Sequence, residues 1–321
     1  MKIVVLDGDV INPGDISWAP LEKLGEVVIH GHTPEDMIVE RAAGAEVLVT
    51  NKVPLRAATL SRLPDLRMVA VLATGYDIID TADAAAHGIP VCNVVAYGVD
   101  DVAQHAWALL LELCNQVGHY DRAVKAGRWG ESGDFCLWDR PMAELWGKTM
   151  GIVGLGSIGQ AVAAIAHGFG MKLLADEQHK KPCAVPVEFV PREELFARAD
   201  VISLHCPLTE GSRQMIRAER IAGMKPGVLL LNTARGGLLN EADVARALET
   251  GQLGGLGVDV AATEPIPPDS PLLRAPNCII TPHVAWVPKE TRQRLLDFAV
   301  ENLRCYLAGR PINVIGGPGK L

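Results

Sequence analysis

The chain has 321 residues, a formal net charge of −8 at pH 7, and a hydrophobic fraction of 49% with only 5% aromatic residues. This length suits two domains of ordinary size, and the wealth of small and aliphatic residues is typical of parallel sheets covered by helices. The acidic balance argues against a nucleic-acid partner, and no apolar run approaches the roughly 18 residues of a membrane span.

The seven cysteines are scattered along the chain, and none lies in a C-x-x-C spacing. This usage is typical of small core residues in a reduced, cytoplasmic protein. The first eight residues predict a strand that meets a turn, not a signal peptide. Because no zinc-type spacing is present, we predict no bound metal.

The first hundred residues alternate short apolar β segments with helical stretches. Strands are predicted at residues 2–6, 26–30, 46–49, 67–72 and 90–93. Such alternation predicts a doubly wound α/β domain. No phosphate-binding loop occurs here, which favours a substrate-side domain. The stretch from residue 101 to 127 then predicts a single long helix between the domains.

The central feature of the chain is the glycine run Gly154-Leu155-Gly156-Ser157-Ile158-Gly159. It follows a predicted strand at 149–153 and precedes a helical stretch at 160–169 and a second strand at 171–175. In this setting the first glycine permits a tight turn, the second lets a pyrophosphate approach the backbone, and the third lets helix pack on strand. The helix N-terminus would then bind the phosphates, so all six residues are predicted to contact a dinucleotide.

Two acids, Asp176 and Glu177, end that second strand, at about the usual offset of 20 residues for the acid that holds the adenosine ribose. A carboxylate there accepts hydrogen bonds from the ribose hydroxyls and repels a 2′-phosphate. NAD is therefore favoured over NADP. The pattern does not decide which acid binds the ribose, and the neighbouring His179, Lys180 and Lys181 leave some NADP tolerance open.

The α/β alternation resumes after the glycine run. Strands are predicted at 200–204, 227–231, 254–258 and 278–281, and a last helix runs from 289 to about 307. A terminal helix that returns to the first domain makes that domain discontinuous. We therefore predict an α/β protein of two doubly wound domains. A Rossmann NAD-binding domain (101–287) is inserted into a flavodoxin-like substrate domain (1–100 plus 288–321).

Polar residues follow three of these later strands, at 232–237, 259–265 and 281–286, where doubly wound sheets bind ligands. With these segments the chain resembles the D-isomer-specific 2-hydroxyacid dehydrogenases over nearly its whole length. Within that family, the stretches 97–105 and 135–139 are most similar to glycerate dehydrogenases and hydroxypyruvate reductases.

The resemblance implies an NAD-dependent oxidoreductase that transfers a hydride between nicotinamide and a small D-2-hydroxy acid or 2-keto acid, with D-glycerate and hydroxypyruvate, or glyoxylate, as the favoured substrates. It also implies catalytic roles for Arg235, Glu264 and His283. An imidazole can take the hydroxyl proton in oxidation and return it in reduction, and a neighbouring carboxylate favours the charged imidazolium. A guanidinium fork suits an α-keto carboxylate.

Binding residues also follow from the resemblance. Substrate contacts are expected from Ala73, Thr74, Gly75, Arg235 and His283, with the backbone amides of Thr74 and Gly75 on the carboxylate. Besides the glycine run and the two acids, cofactor contacts are expected from Cys206, Pro207, Thr233, Ala234, Arg235, Asp259, His283 and Ala285, with Asp259 on the nicotinamide carboxamide. The chain departs from the family at Asp77, where asparagine is common.

Family members are commonly dimeric, with the region 100–145 exchanging contacts, so a homodimer is expected. Trp138 is predicted to line that interface, or else to reach the partner's site. Three other functions stay open: an NADH-sensing binding protein of the corepressor kind, a phosphoglycerate dehydrogenase and a D-lactate dehydrogenase.

Overall fold

In a computed structural model, which describes residues 1–176, 178 and 180–315, the chain forms two compact units. The first unit combines Met1–Gly98 with the segment that begins at Trp286, and the second is Val99–Ala285. Each unit is built on one sheet of mainly parallel strands with helices packed on it. The predicted fold class, two doubly wound α/β domains, is confirmed.

The elements are numbered in chain order. The strands are β1 (Lys2–Val5), β2 (Glu26–Ile29), β3 (Val47–Thr50), β4 (Met68–Val71), β5 (Val91–Cys92), β6 (Thr149–Val153), β7 (Lys172–Asp176), β8 (Glu188–Val190), β9 (Val201–Leu204), β10 (Val228–Asn232), β11 (Leu253–Val258), β12 (Cys278–Ile280) and β13 (Val314–Ile315). The α-helices are α1 (Gly8–Ile11), α2 (Ala19–Glu22), α3 (Ile38–Arg41), α4 (Ala57–Leu60), α5 (Thr81–Ala86), α6 (Val99–Asn115), α7 (Val117–Lys125), α8 (Arg128–Ser132), α9 (Ser157–Gly168), α10 (Arg192–Arg198), α11 (Ala218–Ala222), α12 (Glu241–Glu249) and α13 (Lys289–Leu307).

The sheet of the first unit has the strand order β13-β5-β4-β3-β1-β2 within the described residues. Its strands are parallel except for the β13–β5 pair, and without β13 the order is that of flavodoxin-like proteins. The central strands β3 and β4 are buried along their whole length, as expected of parallel strands covered on both faces. Helix α13 covers one face, with Leu295, Leu296 and Leu303 in the core.

The second unit has a fully parallel sheet of order β12-β11-β10-β9-β6-β7-β8 in the part of the chain that the structure describes. This is the Rossmann order with one strand added beyond the sixth. The direction of strand succession reverses between β6 and β9, and ligands of such sheets bind at the carboxyl ends of the two strands flanking that switch point.

The single long helix predicted over 101–127 is wrong. Helix α6 ends at Asn115, because Gln116 adopts a left-handed backbone conformation with φ of 53°, and α7 begins at Val117. The carboxylate of Glu112 accepts the backbone amide of Gly118 at 3.1 Å and so stabilises the redirected chain.

The predicted strands agree with the structure to within a residue or two, whereas β8 and β13 were not predicted.

No helix in the described part of the chain has the length and apolar character needed to cross a membrane. Among the same residues, no group of three or more histidine, cysteine, aspartate or glutamate side chains could hold a metal ion.

A buried arginine stabilises the first unit. Arg292, on α13, is 5% exposed and pairs through Nη1 and Nη2 with the two carboxylate oxygens of Asp15, both at 2.7 Å. It also donates to the carbonyl of Ile11 at 2.9 Å and, through Nε, to that of Val287 at 2.7 Å. The guanidinium lowers the pKa of Asp15. One side chain therefore joins the segment after β1 to the start of the terminal helix.

We expect Arg292→Met to lower the free energy of unfolding by about 2–4 kcal/mol, because two carbonyls lose a charged donor. The matched control is Arg304→Met on the same helix, whose half-exposed guanidinium pairs with Glu301. It should change stability by less than about 0.5 kcal/mol. Urea denaturation of the two variants measures the difference, and equal effects would contradict the anchoring role of Arg292.

Candidate active site

The glycine turn lies between β6 and α9 and has the local geometry that a dinucleotide requires. Gly154 has φ of +101°, and a Cβ there would lie 2.6 Å from the carbonyl of His205. A Cβ on Gly159 would lie 2.2 Å from the carbonyl oxygen of Gly154, so both positions require glycine. Gly156, in contrast, has open space at its Cβ position. The turn therefore leaves room for a phosphate group at the N-terminus of α9.

The other side of the switch point is formed by the end of β9. His205 donates its amide to Val153 at 2.8 Å, and its imidazole Nε2 lies 2.8 Å from the hydroxyl of Ser203. Burial lowers the pKa of His205 to about 4, so the ring is neutral at pH 7. Cys206 and Pro207 follow directly, and these two predicted cofactor residues thus lie beside the glycine turn.

At the end of β7, Asp176 is paired in a way that the sequence did not indicate. Its carboxylate is 6% exposed and accepts Nε of Arg192 at 2.5 Å and the amide of Gln178 at 3.0 Å. Its negative charge is therefore compensated by a guanidinium from α10. Glu177, the other candidate for the ribose, lies outside the described residues, so the choice between the two acids stays a prediction.

The segment after β10 carries Arg235 on a turn fixed by Asn232. The buried Asn232 side chain accepts the amide of Ala234 at 3.1 Å and donates to the carbonyl of Arg235 at 2.8 Å. Arg235 is exposed, and its Nη1 donates to the carbonyl of Ala234 at 2.7 Å. Among the described residues, the buried hydroxyl of Thr233 has no hydrogen-bond partner. A polar ligand group at this edge would satisfy it, which fits the predicted cofactor contact.

His283 and Glu264 are in hydrogen-bond contact, with 2.6 Å between Nδ1 and Oε2. Because a carboxylate can only accept, Nδ1 carries the hydrogen, and Nε2 is the nitrogen that can exchange a proton with a ligand. The second oxygen of Glu264 accepts the amide of Ala261 at 3.1 Å. The sequence predicted both residues, and the structure brings them together at the carboxyl edge of the sheet.

Asp259 fixes the turn that carries His283. This carboxylate is 1% exposed, and its Oδ1 accepts the Thr281 hydroxyl at 2.6 Å and the Val284 amide at 2.8 Å. Its Oδ2 accepts the amide of Ala285 at 2.8 Å. His283 lies inside this turn with φ of 57°. The structure thus gives Asp259 a positioning role that the sequence did not indicate, and its contact with a carboxamide stays a prediction.

A second acid, Glu241, holds the loop that carries Glu264. Its two oxygens accept the amide of Ala262 at 2.8 Å and the hydroxyl of Ser270 at 3.0 Å. The loop also packs tightly on the turn of Arg235, since a Cβ on Gly236 would lie 1.9 Å from the carbonyl carbon of Ala261. Sequence reasoning missed Glu241, because an acid in the first turn of a helix is ordinary.

The predicted substrate loop, Ala73 to Gly75, belongs to the first unit and follows β4. The hydroxyl of Thr74 donates to the carbonyl of Val94 at 2.8 Å, and the Asn93 amide donates to the carbonyl of Thr74 at 2.8 Å. These bonds fix the loop from one side while Thr74 stays exposed. Its role in substrate binding stays a prediction.

The strand order of the second unit and the glycine turn at its switch point define the class: a dinucleotide-binding α/β protein with an acid–base pair at the same sheet edge. The sequence model of the family described as D-isomer specific 2-hydroxyacid dehydrogenase, NAD binding domain, matches residues 107–285. The chain belongs to the D-isomer-specific 2-hydroxyacid dehydrogenase family, as its sequence predicted, and is an oxidoreductase that uses NAD.

Relatives and solved structures agree with this assignment. The chain is 47% identical to a hydroxypyruvate reductase of Blautia hydrogenotrophica over 320 residues, which cover 98% of this chain and 99% of that protein. It is 44% identical to a glycerate dehydrogenase of Methylorubrum extorquens over 286 residues, or 88% and 89% of the two chains. The structure of D-2-hydroxyisocaproate dehydrogenase matches with a TM-score of 0.85 at 26% identity, covering 99% and 100% of the two chains.

The neutral, half-buried His205 predicts a pH dependence of stability. Its pKa in the folded protein, about 4, lies below the ordinary value of 6.5, so the unfolded chain binds more protons between these values. Stability should therefore fall as the pH falls from about 6.5 towards 4, by about 2–3 kcal/mol at pH 4.5.

Urea denaturation at a series of pH values checks this expectation. In His205→Gln the decrease attributable to this group should vanish, whereas His87→Gln, at an exposed histidine of the first unit, should keep the wild-type dependence. A wild-type pH dependence in His205→Gln would refute the assignment.

Proposed function

We propose that the protein catalyses the NADH-dependent reduction of a small 2-keto acid, hydroxypyruvate or glyoxylate. The reverse reaction is the oxidation of the 2-hydroxy acid, which is D-glycerate when the keto acid is hydroxypyruvate. The observation that carries the proposal is the 2.6 Å contact between His283 and Glu264 at the sheet edge that also carries the glycine turn. Reduction of a keto acid requires a proton donor of this kind. The names of the two relatives, the hydroxypyruvate reductase and the glycerate dehydrogenase, support this substrate class, since both align with most of this chain.

His283 is proposed as the proton donor in reduction and the proton acceptor in oxidation. Since Nδ1 is bound to Glu264, the proton moves between Nε2 and the oxygen on carbon 2 of the substrate. By accepting the hydrogen on Nδ1, Glu264 fixes the tautomer and the orientation of the ring. NADH, when bound, supplies the hydride that reaches carbon 2.

Arg235 is proposed to bind the substrate carboxylate and to polarise the carbonyl group. Its guanidinium is exposed at the sheet edge, and one of its donors is used by the carbonyl of Ala234. The remaining donors form the fork that pairs well with a carboxylate. The backbone amides of Thr74 and Gly75 in the first unit are proposed as further donors to the same group.

The cofactor residues are also proposed. The glycine run holds the pyrophosphate, Thr233 offers its buried hydroxyl, and Asp176 or Glu177 binds the ribose. Cys206, Pro207, Ala234, Asp259 and Ala285 complete the set of proposed contacts. Because Arg192 compensates the charge of Asp176, some tolerance of NADP is consistent with this edge of the site.

A panel of 2-keto acids tests the proposal. Wild-type protein with NADH should reduce hydroxypyruvate or glyoxylate faster than pyruvate or 3-phosphohydroxypyruvate. His283→Ala should lower kcat by about 10³-fold and leave NADH binding, measured by fluorescence titration, within about threefold of wild type. His87→Ala is the matched control and should stay active.

The other outcomes have distinct meanings. Full activity of His283→Ala would contradict the mechanism. A preference for pyruvate or 3-phosphohydroxypyruvate would assign the protein as a D-lactate or a phosphoglycerate dehydrogenase. NADH binding without turnover of any acid would favour the NADH sensor.

We also propose that two copies of the chain pair through an apolar surface of the second unit. It consists of large side chains that are 45–95% exposed, namely Trp129, Phe135, Trp138, Met142 and Trp146. Exposed aromatic and methionine side chains concentrated in one stretch of the chain are typical of a protein interface. The seven cysteines are free, which fits a reducing compartment, and we propose the cytoplasm.

Light scattering coupled to size-exclusion chromatography should give twice the mass of one chain. The double variant Phe135→Ser/Trp138→Ser should shift the protein towards one chain, because it removes the two most exposed apolar side chains of this surface. Phe298→Ser, at a half-exposed phenylalanine of the first unit, is the matched control and should leave the mass unchanged. A wild-type mass of one chain would disprove the pairing.

A further inference from the structure

A histidine outside the catalytic set contacts the turn that carries His283. His105 lies on α6, and its Nε2 is 2.8 Å from the hydroxyl of Thr281 and 3.5 Å from Oδ1 of Asp259. Helix α6 packs on β10 and β11, and its apolar side chains belong to the core of the second unit. His105 itself is 22% exposed, so it lies at the margin of that core, beside the sheet edge.

The direction of these hydrogen bonds follows from the chemistry of the acceptor. The Thr281 hydroxyl lies 2.6 Å from Oδ1 of Asp259, and a carboxylate can only accept. The hydroxyl hydrogen is therefore used by Asp259, so the hydroxyl oxygen must accept from His105. Nε2 of His105 carries a hydrogen in consequence, whether the ring is neutral or charged. The order of donation is His105 to Thr281 to Asp259.

The chain of donors ends on the carboxylate that shapes the catalytic turn. Asp259 accepts the amides of Val284 and Ala285, the two residues after His283. His283 has φ of 57°, a conformation that non-glycine residues adopt at a cost and keep only when their surroundings hold it. Asp259 can hold the turn only if its own carboxylate is held in one orientation, and Thr281 binds it from the side of α6.

We propose that His105 is a positioning residue of this active site. By donating to Thr281 it orients the hydroxyl towards Asp259, and so keeps His283 where its Nδ1 meets Glu264. The inference rests on the proposed function of His283. The effect of His105 reaches the reacting atoms through Thr281 and Asp259.

Two pairs of substitutions separate positioning from packing. His105→Leu and Thr281→Val remove the donated hydrogen bond but keep side-chain bulk, whereas His105→Gln and Thr281→Ser keep a donor or a hydroxyl. We expect the first pair to lower kcat for keto-acid reduction about 10–100-fold, with KM and the NADH dissociation constant within about threefold of wild type. The second pair should recover most of the rate. Gln104→Leu, at an exposed neighbour on α6, is the control and should match wild type.

The double variant His105→Leu/Thr281→Val gives a further readout. If His105 acts through Thr281, the loss of kcat in the double variant should equal the loss in either single variant, not the product of the two losses. Wild-type kcat in both His105→Leu and Thr281→Val would overturn the proposal. So would a His105→Gln variant as impaired as His105→Leu, since only packing would then explain the loss.

The proposed function is tested first in the same assay, through the dependence of turnover on His283. Loss of that dependence contradicts the proposed function. Intact dependence on His283 with a wild-type rate in the His105 and Thr281 variants contradicts the positioning role alone. Because the two substitutions lie on different elements, a folding defect in one leaves the other to decide.

Discussion

The carboxylate of Asp259 is the constraint on which the geometry of the proposed catalytic histidine, His283, depends. A buried carboxylate is costly unless donors surround it, and this one is 1% exposed with a hydroxyl and two backbone amides bound to it. Those amides belong to the two residues that follow His283, which has a left-handed conformation and directs its Nδ1 at Glu264. The hydrogen bonds that this buried acid accepts therefore stabilise the turn that carries the proposed catalytic histidine.

Carboxylates that accept hydrogen bonds from loop amides also lie at other strand ends of both sheets. In the first unit, the buried carboxylate of Asp7 accepts the amides of the three residues after β3, and burial raises its pKa. In the second unit, Glu241 accepts an amide and a hydroxyl of the loop that carries Glu264. Loops at the carboxyl ends of strands leave backbone amides without partners in the sheet. Acids from neighbouring elements satisfy them, and each loop gains one defined shape.

Local sequence patterns predicted most of the fold and the strand ends that carry polar residues, whereas the individual site residues came from the resemblance to the family. Parallel strands buried on both faces appear as continuous apolar runs, and the glycine run follows one of them directly, so both sheets could be predicted. Interactions between distant segments could not. Nothing near Asp176 indicated its pairing with Arg192, and nothing near His105 indicated Thr281, because α6 and the last strands of the sheet meet only in the folded chain. The break at Gln116 was missed for a different reason, since the apolar spacing of a helix continues across it.

The second unit contains all three of the residues proposed for catalysis, Arg235, Glu264 and His283, and it ends at Ala285, two residues beyond the histidine. The first unit contributes none of them. With the proposed roles, proton transfer and cofactor binding belong to one unit and can be inherited together. Sequence change in the proposed substrate loop of the first unit, Thr74 to Gly75, would then alter which acid is accepted without changing those residues. In evolutionary terms, such a division lets one reaction serve many substrates.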